Sequence, residues 1–140
     1  MARMLALCLT LVLAVTAPAA ADPSDQARTA IRTVIEQQMD AFGRGDGDAA
    51  FSYASPMIRE KFNDPATFMK MVRQSYRPVY KPQVVEFRNL ARADGRLAQH
   101  VYVVGPDGRT VIAVYLMEKQ DDGTWKIDGV YLEDAPDEAV

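Results

Sequence analysis

One histidine, His100, bounds most of the chemistry open to this 140-residue chain. A His-rich zinc site has too few imidazoles, and carboxylates at scattered spacing make no metal-ligand pattern, so no metal is expected. A Ser-His-Asp relay would set His100 beside Ser52, Ser55 or Ser75. None of these serines sits in a nucleophile-elbow context. Asp128, next to Gly129, has two readings: a buried carboxylate acting as a base, or a solvated carboxylate at a sheet edge. Tyr53, Tyr102 and Tyr115 are hydrogen-bond donors for a pocket, or ordinary aromatic core with hydroxyls at its rim. Arg44-Gly45-Asp46-Gly47-Asp48 opens like a calcium loop and lacks the later ligands of one, so it reads as a Gly-rich turn with an Asp helix cap.

The elements that must position these residues fall into two halves. Upstream, Ser24 caps an amphipathic helix of about eighteen residues, with Ala27, Ile31, Val34, Ile35, Gln38 and Phe42 on one side. Gly43 and Gly45 end it. Short helices follow, the first carrying Phe51 and Tyr53. Ser55-Pro56 opens the next, with Met57, Ile58 and Phe62, and Asp64-Pro65 opens another, with Phe68, Met69, Met71, Val72 and Tyr76. Pro78 and Pro82 bracket what reads as an extended linker.

Downstream, residues 83–92, 96–104, 109–120 and 124–132 read as four strands joined by short Gly-containing turns, an antiparallel meander. The third strand is apolar at nearly every position from Thr110 to Met117, so both of its faces are expected to be covered. Setting Val104 opposite Arg109 places His100 opposite Ala113 and Tyr102 opposite Val111. Glu118 opposite Lys126 forms an opposite-charge pair. This register gathers His100, Tyr102, Tyr115 and Trp125 on one face, and with Tyr53 they make the expected ligand pocket. The aliphatic Val101, Val103, Ile112, Val114 and Leu116 share the other face, expected to form a subunit interface. A one-residue slip inverts the assignment, and a bulge at Gly129 swaps the faces after it.

The first twenty-one residues belong to no domain. Arg3, the apolar run Leu5 to Val15 and Ala19-Ala20-Ala21 have the layout of a secretory signal peptide. Cys8 is preceded by Leu7, where a lipoprotein signal needs a small residue. Removal of 1–21 takes away Arg3 and Cys8, the only cysteine, from a chain of formal charge −3. The remaining chain has no thiol and no disulfide and folds on its core alone. Its acidity argues against nucleic acid, and no membrane association is expected after cleavage. The expected layout is a signal peptide at 1–21, one domain at 22–132, and a disordered acidic tail at 133–140, in the periplasm or outside the cell.

Helices followed by a strongly curved four-stranded meander ending in Trp125-Lys126-Ile127 resemble the nuclear transport factor 2-like fold, an α+β cone that includes the SnoaL-like proteins. Ala54-Ser55-Pro56-Met57-Ile58, Phe62, Phe68-Met69-Lys70-Met71-Val72 and Tyr76-Arg77-Pro78-Val79 resemble an uncharacterised family of small exported bacterial proteins with that fold. The resemblance implies a sheet wrapped around a helix, an interior pocket and dimerisation through the outer face. It names no reaction and no cofactor. The expected function is a non-catalytic module that binds a small hydrophobic ligand or a protein partner, as a homodimer. The alternative is an isomerase, cyclase or hydrolase with an aromatic-lined pocket.

Overall fold

Ser24 starts the first helix as the composition requires: its hydroxyl accepts from Ala27 N at 3.1 Å. The computed structural model describes residues 22–136, so the expectations for 1–21 and for 137–140 lie outside the described residues. Helix α1 (Asp25–Arg44) ends where Gly45 takes a left-handed φ of 69° and donates to Ala41 O and Phe42 O. A side chain there would be strained, hence glycine. Asp46 caps α2 (Gly47–Ser52), Ser55 caps α3 (Pro56–Phe62) and Asp64 caps α4 (Pro65–Ser75). Each of the last two carries proline in its first turn, where the absent N–H has no intrahelical acceptor to lose.

The segment around Pro78 differs from the extended linker expected. It forms one helical turn, α5 (Arg77–Tyr80), because Pro78 again falls in the first turn. Pro78 and Val79 are buried by it.

Strands β1 (Val84–Ala93), β2 (Arg96–Val104), β3 (Thr110–Lys119) and β4 (Trp125–Asp134) form one antiparallel sheet in the order β1-β2-β3-β4. The meander and all three turns agree with the sequence. The register between β2 and β3 does not. Val104 pairs with Thr110 rather than Arg109, so Val101 faces Ala113 and His100 faces Val114. The Gly105–Gly108 turn is one residue longer than a tight reading allows, with Gly105 N donating to Arg109 O. That single step carries every side chain of β2 to the opposite face relative to β3.

The expected interface set is thereby divided. Val101 and Val103 are fully buried in the main core with Val111, Ala113, Tyr115, Met117 and Ile127, under Ile31 and Ile35 of α1. Ile112, Val114 and Leu116 lie on the outer face. The doubly apolar β3 is thus explained on one side by helices. Burying side chains such as Ile31 and Ile35 contributes roughly 2 kcal/mol each. A second core cluster lies between α1, α2 and α4, where Phe42, Phe51, Phe62 and Phe68 meet at centroid distances of 5.5–6.2 Å.

Two bulges shape the sheet. In β1 the register shifts between Phe87 and Leu90, and the buried Gln99 amide donates to Arg88 O at 3.0 Å. In β4, Ile127 pairs with Met117 and Gly129 with Leu116, leaving Asp128 as the extra residue. This is the bulge that Gly129 announces. Strand β4 runs on past Leu132, with Glu133 opposite Ile112 and Asp134 opposite Val111. The strand therefore runs two residues past 132, where Arg109 donates to Asp134 at 3.1 Å.

Candidate functional site

Residues 53–55 add a short rung beside β4. Ile127 N donates to Tyr53 O at 2.9 Å, and Ser55 N donates to Ile127 O at 2.8 Å. This rung carries the chain from α2 across the free edge of β4 and delivers α3 beside it. The fully buried Ser55 then does three things. Its N–H holds β4, its Oγ accepts from Ile58 N at 3.3 Å to cap α3, and its Oγ donates to Asp128 Oδ1 at 2.7 Å. The other carboxylate oxygen, Asp128 Oδ2, accepts from Arg96. Asp128 is 4 % exposed and Arg96 reaches it from a half-exposed position.

The solvated-edge reading of Asp128 is therefore wrong, because the bulge turns the residue into the fold. The free-base reading gains nothing, since both oxygens are occupied. Asp128 fastens the bulge of β4 to the start of α3.

Beside this fastening lies a cavity of about 310 Å³ between α1, α3, α4 and the sheet. Its walls include Phe42, Ile58, Phe62, Met71, Val72 and Ile127. The aromatic cluster thus fills the space between the helices without closing the cavity. Helix α3 buries none of its own residues fully, and Met57 is 50 % exposed at the mouth. Lys61 is the exposed cation among the lining residues. Besides Asp128, two buried polar side chains line it. Gln38 donates its amide to Ala50 O at 3.1 Å. Tyr115 is fully buried, and its hydroxyl has no hydrogen-bond partner. Burial pushes the Tyr115 phenol above its ordinary value, since nothing nearby stabilises the phenolate.

Of the five residues expected to line a pocket, the structure brings one, Tyr115, to this cavity. His100 and Tyr102 sit on the outer face, with the Arg88 guanidinium 4.8 Å from the Tyr102 ring centre. Trp125 packs against the main core, and Tyr53 ends α2. For His100 and Tyr102 the reason is the one-residue slip in β2. A serine relay also loses its base, because Ser55 lies on the β4 edge and His100 on the outer face of β2. Sequence reading missed the cavity walls of α3 and α4, whose Met and Phe spacing reads as core. Among the described residues, no group of three or more His, Cys, Asp or Glu is placed to hold a metal ion.

Fold and site together define a class: a small α+β protein with helices on one face of a four-stranded meander and an apolar cavity between them. The chain belongs to the family described as Domain of unknown function (DUF4864), whose model matches residues 24–140. It is similar in structure to an NTF-2 like protein of unknown function from Burkholderia xenovorans LB400, with 19% identity and a TM-score of 0.46, over 81% of this chain and 89% of that one. No curated relative matches the chain.

Proposed function

We propose that this protein is an exported module that binds a small, mainly apolar molecule in the cavity between α3, α4 and the sheet. The observation that carries the reading is the cavity itself. An apolar space of about 310 Å³ beside a packed aromatic cluster is at the low end of ligand pockets, which run from about 300 to 1,000 Å³. The layout of residues 1–21 supports export. The neutral fluorescent probe N-phenyl-1-naphthylamine should bind saturably. Ile58→Trp, at a half-buried position on the wall, should weaken that binding at least about tenfold with the melting temperature unchanged. Non-saturable binding, or binding indifferent to Ile58→Trp, rejects the proposal.

A second reading concerns the outer face of the sheet, and one observation favours it. Ile112 and Leu116 keep partial exposure there, and Tyr131, opposite Val114, is 44 % exposed. This apolar strip fits self-association. It replaces the interface set of the sequence reading, from which Val101 and Val103 are now removed.

A further inference from the structure

We infer that the cavity takes an uncharged ligand of roughly ten to seventeen heavy atoms, apolar over most of its surface, whose carbonyl or ether oxygen accepts a hydrogen bond from Tyr115. The inference rests on the binding role proposed above and adds the chemistry of the ligand's polar end.

The hydroxyl is the first argument. Buried hydroxyls nearly always have partners, and one left unmade is destabilising. Tyr115 is fully buried, lines the cavity and has no partner for its hydroxyl. A phenol donates most usefully to an oxygen acceptor, and burial keeps this one protonated. An acceptor brought by a ligand satisfies the one polar group that the folded chain leaves unpaired there.

Charge is the second argument. Of the lining residues, only Lys61 and Asp128 are ionisable to a charge at neutral pH. Asp128 is already engaged on both oxygens, by Ser55 and Arg96, and offers no free counter-ion to an ammonium group. Lys61 is exposed at the mouth. A carboxylate carried inward to Tyr115 would lose its hydration and gain one neutral donor, which is a poor exchange. The hydroxyl is sealed from water, so the ligand must displace side chains to reach it. Met57, half exposed, and Met71, half buried, line the cavity and have the flexible thioether chains suited to that repacking.

Three probes of nearly equal shape test this on the purified protein by calorimetric titration: 2-acetylnaphthalene, 2-ethylnaphthalene and 2-naphthoate at pH 7. The ketone should bind about tenfold more tightly than the hydrocarbon, the worth of one buried hydrogen bond. The carboxylate should bind at least about a hundredfold more weakly than the ketone. Tyr115→Phe should bring the ketone down to the hydrocarbon's affinity and leave the hydrocarbon unchanged. Equal affinities for ketone and hydrocarbon, or a preference that survives Tyr115→Phe, overturn the inference and leave the cavity's binding role intact. So does tightest binding by the carboxylate, lost in Lys61→Gln, which would place the polar end at the mouth. Binding by none of the three overturns this inference, and the binding role falls with it only if N-phenyl-1-naphthylamine also fails to bind saturably.

Discussion

At Asp128 one carboxylate joins three parts of the chain that lie far apart in sequence: Arg96, Ser55 and the bulge of β4. Removing it strands a fully buried hydroxyl. Asp128→Ala should cost about 2 kcal/mol in urea unfolding, the range for leaving a buried donor without its acceptor. Ser55→Ala should cost about as much, since it also loses the cap of α3. The double variant should fall short of the sum by about 1 kcal/mol, because the two share one interaction. Strict additivity would dissolve the link. Tyr115 makes a prediction of opposite character. Its folded phenol titrates above the unfolded value of 10.0. The stability tied to its neutral form is complete below pH 10 and is lost as the pH rises above it, at up to about 1.4 kcal/mol per pH unit. Tyr115→Phe should be at least as stable at pH 7 and should lack that alkaline loss. An identical alkaline slope in both proteins would count against a buried, unpaired hydroxyl.

At the scale of elements, what sequence could reveal followed the range of the forces. Caps, turns and strands are local, and Ser24, Ser55-Pro56, Asp64-Pro65 and the Gly-containing turns marked them correctly. Gly129 marked its bulge for the same reason. Pro78 was ambiguous because proline both forbids helix behind it and favours helix ahead of it. The register of β2 on β3 was not legible, because it depends on how many residues the Gly105–Gly108 turn takes up. The cavity is walled by α3, α4, β3 and β4 and depended on how α3 docks, a long-range matter, while the register moved His100 and Tyr102 to the outer face, so one of five candidate residues reached it. The assigned register has a direct check. Val101→Ala should cost about 2 kcal/mol, as a methyl-deleting change in a closed core. Ile112→Ala, on the half-exposed outer face, should cost under about 1 kcal/mol. Similar costs for the two in denaturant unfolding would restore the register read from the turn, which sets both side chains on one face.

For the whole molecule, the two faces of the sheet pose different problems to water. The inner face is covered by α1 and α5, and most of its side chains are buried. On the outer face Ile112, Leu116 and Tyr131 keep contact with solvent, flanked by Glu118 and Lys126 in a cross-strand pair. An apolar strip with a polar rim is the usual build of a protein interface, and a second copy presents the same strip by symmetry. Sedimentation at tens of micromolar should therefore find a dimer. Tyr131→Glu with Leu116→Glu should return it to a monomer, because two carboxylates per copy would be buried without partners across the contact. Neither residue is fully buried in the single chain, so the monomer should stay folded, with its circular dichroism unchanged. A wild-type protein that sediments as a monomer at that concentration would leave the outer face to solvent. The apolar character of β3 would then be owed to its inner face alone.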